Sequence, residues 1–290
     1  MIERAEILAT IRSLPSFSQT VVQLGQLLRD DEAGPGEYEA VVQLDVALTA
    51  NLLRMANSAY FGFSRKISSV REAITLLGAR RLFELSAMAA VEAVVPPTLP
   101  GYGIDSGVYW CHSVAVAVLA ERLAKERKLS VPALTFTSGL LHDIGKLVIS
   151  SFLATRVDDL RGSLQKNNQS LLECEREILG ADHAQIGAEL AQTWNLPEDV
   201  VRVIAYHHEP GRVDKDKGDV VVDLVHSADC LSHSLGFGAD VGQLQRQVDE
   251  SSIARLGLRH VDLERVAGRA LPEIEGLAQF GRPKAKGVRA

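Results

Sequence analysis

Apolar residues recur at helical spacing along almost the whole chain. Val21, Leu24 and Leu28 are one example, because they return to the same face of a helix. Sustained alternation of apolar and polar residues, which a half-buried strand requires, is absent from the sequence. Pro35 and Pro197 stand where a first helical turn would begin. The sequence therefore predicts an all-α protein of roughly a dozen helices joined by short connections.

One segment in the middle of the chain breaks the helical pattern. It runs from Pro96 to Gly103 and contains three prolines and two glycines. We therefore expect two helical lobes, an N-terminal one at residues 1–97 and a second one at residues 98–270. Residues 271–290 end in a short basic stretch and are expected to form a frayed tail. All eight histidines lie in the second lobe, and seven of them fall between Cys111 and His233.

Composition and charge restrict the class of protein. The chain has 290 residues, a net charge of -6 and a pI near 5.8, which argues against nucleic acid as the main partner. The longest apolar stretch, Leu134 to Ala154, is interrupted by charged residues and is not expected to span a membrane. The three cysteines are scattered, as in a reduced, cytosolic chain. We expect a cytoplasmic protein.

The second lobe combines histidine and carboxylate residues in separate helices, which is the composition of a metal centre. Imidazole together with carboxylate suits Fe, Mn, Zn or Co, and the pattern does not choose among them. One or two such divalent ions can activate water and clamp a phosphate, which a phosphohydrolase needs. The candidate metal ligands are His112, His142, Asp143, His183, His207, His208 and Asp229.

The adjacent residues His142 and Asp143 form the most specific part of this set. Neighbouring side chains on a helix point about 100° apart, so both can reach one ion only at a helix edge or end. Lys146 returns to the face of His142, where its ammonium could neutralise a substrate phosphate or pair with a carboxylate. We take Asp143 and Lys146 as the candidate catalytic residues. The alternative is a buried His-Asp pair without an ion.

Each of the other candidates also has a purely structural interpretation. A single histidine such as His112 on an apolar helix is more often a core residue than a ligand. The histidine pair at 207 and 208 could simply favour a helix C-terminus. Asp182, next to His183, is a natural helix N-cap. His226 and His233 share a helical face with Asp229, so they could orient that carboxylate or merely be exposed.

Several stretches resemble the HD-related output domain (HDOD) family, part of the wider HD superfamily. In the first lobe they are Leu14-Pro15, Leu52-Leu53-Arg54-Met55-Ala56-Asn57-Ser58-Ala59 and Ala73-Ile74-Thr75-Leu76-Leu77-Gly78. In the second lobe they are Asp182-His183-Ala184, Trp194-Asn195-Leu196-Pro197 and His207-His208. The resemblance covers roughly residues 10 to 235. It implies an all-helical bacterial signalling module whose second lobe is an HD-like helical bundle, with links to cyclic-dinucleotide responses.

The ligand series also resembles that of the HD-GYP phosphodiesterases, which hydrolyse cyclic di-GMP. Two features of those enzymes are missing here. Pro210-Gly211-Arg212-Val213 stands where their Gly-Tyr-Pro loop would be, and Val108 replaces the glutamate expected four residues before His112. These departures argue against cyclic di-GMP hydrolysis and against a third metal ion.

Two functional hypotheses follow from the sequence. The first is a signalling protein whose metal centre binds, and if active hydrolyses, a phosphate ester or a nucleotide. The second is a non-catalytic HDOD module whose first lobe binds a signalling protein, as in family members that have lost their metal ligands. Hydrolysis of guanosine tetraphosphate ranks lower, because no Glu-Asp pair follows the His142-Asp143 element at helical spacing.

Overall fold

A computed structural model of the chain describes residues 4–131, 134–166, 169–213, 218–238 and 248–281. The first lobe is formed by five helices, and the longest of them bends at Gly78, where φ is +81°. Side-chain caps explain where two of them begin: Asp45 accepts from the amide of Leu48 at 2.9 Å, and Ser69 accepts from that of Glu72 at 3.1 Å. The helices are α1 (Arg4–Ser13), α2 (Gln19–Leu27), α3 (Pro35–Gln43), α4 (Val46–Ala56) and α5 (Val70–Val94).

A small antiparallel hairpin joins the two lobes. Its strands are β1 (Thr98–Leu99) and β2 (Ile104–Asp105), and they pair with Thr98 opposite Asp105. The hairpin occupies the proline- and glycine-rich segment that the sequence marks as a break. Its turn carries Tyr102, which is buried beneath the second lobe. The fold is otherwise all-α over the described residues, as the sequence predicts.

The second lobe is built around its longest helix, α6, which packs against α7, α13 and α15. Small residues such as Ala117 and Gly139 let α6 and α7 approach closely. The helices of this lobe are α6 (Ser106–Glu126), α7 (Thr135–Leu141), α8 (Gly145–Leu153), α9 (Val157–Lys166), α10 (Leu171–Leu179), α11 (His183–Thr193), α12 (Glu198–Tyr206), α13 (Val220–Ser234), α14 (Glu250–Leu256) and α15 (His260–Ala278).

The expectation of a frayed tail beginning at residue 271 is wrong for residues 271–281. Helix α15 continues to Ala278 and is followed by a 3-10 turn, Gln279–Gly281. Ile274, Leu277 and Phe280 are buried, so apolar packing holds this segment in place. The remaining tail residues, 282–290, lie outside the described part of the chain.

Helix α15 also ties the second lobe to the first. Glu273 accepts hydrogen bonds from Arg81 of α5 and Arg122 of α6, each at 2.7 Å, and from the Tyr60 hydroxyl at 3.1 Å. Helix α5 contacts α7, and α1 packs on α8 and α11. Ionic and apolar contacts therefore both join the lobes. Among the described residues, no helix combines the length and the apolar character that crossing a membrane requires.

Candidate metal centre

His142 and Asp143 lie in the junction between α7 and α8. The His142 Nδ1–H donates to the carbonyl of Gly139 at 2.7 Å, which closes the end of α7 and leaves the Nε2 lone pair facing inward. The Asp143 side chain is fully buried. The pair therefore stands at a helix end, which is one of the two positions that the sequence allowed for a shared ion.

A close contact between α8 and α11 brings His183 to the same place. An added Cβ at Gly145 would lie 1.9 Å from the carbonyl oxygen of His183 and 2.6 Å from the amide nitrogen of Gly187. Only glycine permits this backbone approach. Asp182 caps α11 by accepting from the amide of Gln185 at 2.8 Å, as the sequence predicts. His183 is therefore the first residue of α11 and faces Asp143.

The two carboxylate oxygens of Asp143 face different sets of histidines. Oδ2 lies 3.5 Å from His112 Nε2 and 3.4 Å from His142 Nε2. Oδ1 lies 3.2 Å from His183 Nε2 and 3.7 Å from His207 Nε2. Asp143 therefore stands between two groups of nitrogen donors. We call the Oδ2 side site A and the Oδ1 side site B.

Asp229 of α13 contributes to both sides. Its Oδ1 lies 3.2 Å from His112 Nε2 and 3.8 Å from His142 Nε2, on the side of site A. Its Oδ2 lies 3.8 Å from His208 Nδ1. His208 in turn places its Nε2 2.9 Å from His183 Nε2, on the side of site B. Helices distant in sequence thus bring all seven candidate ligands into one buried cluster.

Lys146 pairs with a carboxylate, which was one of the two roles that the sequence allowed. Its ammonium lies 2.6 Å from Asp143 Oδ2 and 5.4 Å from the centre of the Tyr102 ring. Burial alone would raise the pKa of Asp143, but Lys146 and the neighbouring imidazole of His142 hold that pKa well below its usual range. Asp143 is therefore ionised inside the protein.

A buried glutamate that the sequence reading missed orients His183. Glu175 accepts from His183 Nδ1 at 2.7 Å, from the His183 amide at 2.8 Å and from the Tyr102 hydroxyl at 2.7 Å. The signal in the sequence was a carboxylate on the apolar face of α10, in phase with Leu171 and Ile178. Histidines that bind metals typically donate their second ring nitrogen to such a carboxylate.

Other groups hold the remaining imidazoles. His207 Nδ1–H donates to the carbonyl of Ile204 at 2.8 Å. His226 is buried and donates to the carbonyl of His207 at 2.7 Å, so it supports the histidine pair and not Asp229. The Ser232 hydroxyl donates to the Asp229 carbonyl at 2.8 Å and accepts from His112 Nδ1–H at 3.1 Å.

Site B contains two electron-rich atoms that face each other without a hydrogen bond. Because Nδ1 of His207 carries its proton, Nε2 presents a lone pair to the ionised Asp143 Oδ1, 3.7 Å away. Burial lowers the pKa of His207 to about 4, so this nitrogen is not protonated near neutral pH. Neither atom meets hydrogen-bond geometry with a described residue, although His183 Nε2 lies 3.2 Å from Asp143 Oδ1. A cation between them would satisfy both.

Site A also brings two imidazole nitrogens face to face, and a proton is the alternative to a metal ion there. The Nε2 atoms of His112 and His142 are 3.2 Å apart, and both rings use Nδ1–H as a donor elsewhere. Burial disfavours a charge on His112, but Asp143 and Asp229 raise its pKa. On the side of site B, burial also opposes a charge on His183, but Glu175 and Asp143 raise the pKa of His183 to about 9. The donor set therefore fits divalent ions, which would displace these protons.

The cluster is almost closed to solvent. Its most exposed candidate ligand is His208, whose side chain is 12% exposed. A cavity beside His112, Asp143 and Lys146 has a volume of about 10 Å³, which is room for about one water molecule. A phosphate ester would therefore need this side of the lobe to open.

Comparison with known proteins agrees with the resemblance seen in the sequence. The HDOD domain family model matches residues 14–210. An uncharacterized Treponema pallidum protein is 27% identical over 205 residues, 70% of this chain and 39% of that protein. Ribonuclease Y of Lawsonia intracellularis is 33% identical over 169 residues, 58% of this chain and 24% of that enzyme. The chain therefore spans well under half the length of these curated relatives.

Solved structures share the fold over nearly the whole chain. An HDOD domain protein of unknown function from Geobacter sulfurreducens has a TM-score of 0.72 at 23% identity, covering 96% of this chain and 98% of that one. A candidate metal-dependent phosphohydrolase from Shewanella amazonensis has a TM-score of 0.60 at 14% identity, covering 96% and 97%. A candidate signal transduction protein from Marinobacter aquaeolei has a TM-score of 0.71 at 20% identity, covering 96% and 65%.

Proposed function

The chain belongs to the HDOD family, and we propose that it is a signal-transduction protein with an HD-type centre for one or two divalent metal ions. At this centre it binds and hydrolyses a phosphate ester or a nucleotide, cyclic nucleotides included. The observation that carries the proposal is the contact in site B between the unprotonated His207 Nε2 and the ionised Asp143 Oδ1. A buried pair of this kind is costly unless a cation lies between the two atoms.

The seven candidate ligands form two groups, one for each proposed ion. His112, His142, Asp229 and one oxygen of Asp143 would hold the ion of site A. The other oxygen of Asp143 would hold the ion of site B, together with His183, His207 and His208. Bound divalent ions supply Lewis-acid charge for the hydrolysis of phosphate esters.

The charges of the chain's own residues suit an anionic ligand once metal is present. Asp143 and Asp229 supply two negative charges, and Lys146 offsets one of them at 2.6 Å from Asp143 Oδ2. Two divalent ions would leave the pocket with a positive charge, which favours a phosphate group. In this proposal Lys146 keeps Asp143 ionised and in place. It does not contact the phosphate directly.

The names of similar proteins support the same class of chemistry. One solved neighbour is described as a candidate metal-dependent phosphohydrolase and another as a candidate signal transduction protein. Ribonuclease Y is named for cleavage of RNA, whose nucleotides are joined by phosphodiester bonds. The net charge of -6 on this chain argues for a smaller phosphodiester than RNA.

The test is turnover of a generic phosphodiester, bis(p-nitrophenyl) phosphate, by protein loaded with Mn²⁺, Fe²⁺, Co²⁺ or Zn²⁺. We expect turnover by the parent, and losses of at least about 100-fold in His142→Ala and Asp143→Ala. His260→Ala is the matched control, because this histidine is exposed on α15. A metal-free parent whose His142 and Asp143 variants behave as it does would refute the proposal.

A groove in the first lobe favours a second candidate function, the binding of a signalling protein without catalysis. The groove has a volume of about 530 Å³ between α2, α4 and α5 and includes Phe17 and Ala90. Leu44 and Val46 at its edge are 80% and 81% exposed, which is unusual for large apolar side chains. This function predicts that partner binding survives Asp143→Ala and is lost in Leu44→Glu. The reverse result would exclude it.

A further inference from the structure

We propose that His233 is an additional metal ligand, at the ion of site A. The sequence suggested only that this residue could orient Asp229 or lie exposed. The inference rests on the proposed metal centre and adds a ligand from the C-terminal turn of α13. Its consequence is that the two ions are held unequally, because site A would then have five ligands and site B four.

His233 stands beside the donors of site A and apart from those of site B. Its Nε2 lies 3.5 Å from Asp229 Oδ1, and its ring centre lies 4.8 Å from that of His112. Ligand atoms of His112, Asp229 and His233 all lie within 4.8 Å of one another. Such spacing is compatible with three ligands around one ion.

One oxygen atom is the focus of this arrangement. Asp229 Oδ1 has the Nε2 of His112 at 3.2 Å, that of His233 at 3.5 Å and that of His142 at 3.8 Å. Three imidazoles that converge on one carboxylate oxygen cannot all be protonated at a modest cost, because three positive charges would be buried together. Neutral imidazoles with a carboxylate are the donor set of Zn, Mn, Fe or Co.

Two features of the chain hold the His233 ring toward Asp229. The residues are four apart on α13, so their side chains share a helical face. Behind the ring, the backbone at Gly238 lies so close that an added Cβ would be 2.0 Å from His233 Nδ1. The ring is 95% shielded from solvent, so its position is set by packing. A histidine exposed on the surface would not require a backbone segment packed this closely behind its ring.

The experiment measures metal binding by the full chain, with Mn²⁺ and Zn²⁺ as probes in equilibrium dialysis. We expect the parent to bind two ions and His233→Ala to bind one of them at least about 10-fold more weakly, with the other unchanged. Loss of a residue next to a metal ligand already costs about 10- to 100-fold, and loss of a ligand costs no less. His260→Ala is the control and should match the parent.

Cobalt provides a readout that a purely structural role would not change. In Co²⁺-loaded protein, loss of an imidazole ligand should change the visible absorption of one ion. Should His233→Ala fail to fold, Gly238→Ala tests the same point, because the added methyl must displace the ring while keeping the imidazole. That variant should also weaken one ion selectively.

The outcomes separate this inference from the proposed function. A parent that binds no metal refutes both. A parent that binds two ions, with the same affinities and cobalt spectrum in His233→Ala, overturns only the assignment of His233.

Discussion

Substitution of Gly145 by alanine should separate α8 from α11 and disturb the candidate metal centre without replacing any ligand. The new Cβ would lie 1.9 Å from the His183 carbonyl oxygen and 2.6 Å from the Gly187 amide nitrogen. Contacts of this kind normally lie near 3.4 Å or beyond, so the two helix ends must move apart by about 1.5 Å. Both obstructing atoms belong to the backbone and cannot rotate away.

The magnitude follows from the cost of overpacking. Inserting a methylene into a close-packed region costs about 1–3 kcal/mol, and we expect the upper part of that range here. The move also carries His183 away from Asp143 Oδ1, now 3.2 Å from its Nε2. A displacement of about 1 Å at a reactive site can cost about 100-fold, so activity should fall by a similar factor.

Urea unfolding of Gly145→Ala measures the loss of stability, and turnover of bis(p-nitrophenyl) phosphate together with a metal titration measures the effect on the candidate metal centre. The matched control is Gly162→Ala in α9, where an added Cβ meets no atom within 4 Å among the described residues. That variant should be neutral or more stable by about 0.5–1 kcal/mol, because alanine favours a helix interior. A Gly145→Ala protein as stable as the parent, with full metal affinity, would refute this account of the contact.

Three further predictions follow. Glu175→Gln should weaken metal binding by about 10- to 100-fold in a titration, whereas Glu177→Gln, exposed on the same helix, should not. Removing metal with EDTA should lower the free energy of unfolding by about 2.7 kcal/mol relative to protein holding metal at 100 times its Kd; an unchanged unfolding midpoint would argue against binding. Burial, together with the charge of Glu121, outweighs the pairing of Glu84 with Arg80 and Arg81 and raises its pKa to about 7, so below pH 7 the folded protein retains a proton that the unfolded chain releases. Stability should therefore fall from pH 5 to pH 7 by about 2 kcal/mol in the parent and by less in Glu84→Gln; parallel urea profiles would contradict this.

The helices and the local geometry of the candidate metal centre could be predicted from sequence because they depend on neighbouring residues. Apolar spacing predicted the helical class. A shared ion required the adjacent residues His142 and Asp143 to lie at a helix edge or end, and they lie between α7 and α8. Asp182 caps α11 because a short carboxylate reaches the amide three residues later. These features are decided within one or two helical turns.

Other features depend on packing between distant segments and could not be read in advance. The sequence allowed Lys146 either to neutralise a substrate phosphate or to pair with a carboxylate. The direction of its side chain decides between these roles, and that direction is set by its burial against Tyr102. Glu175 was visible as a carboxylate on an apolar face, but its partner depends on how α10 packs near the start of α11. The extension of α15 was missed because the basic terminal composition suggested a tail, although Ile274 and Leu277 continue the apolar spacing.

The central claim, that metal ions lie on both sides of Asp143, is tested most directly by anomalous diffraction from crystals soaked in Mn²⁺. The account predicts two anomalous peaks, one among His112, His142 and Asp229 and the other among His183, His207 and His208. Crystals that show no peak at either place, with His207 Nε2 and Asp143 Oδ1 facing each other as they do here, would contradict it.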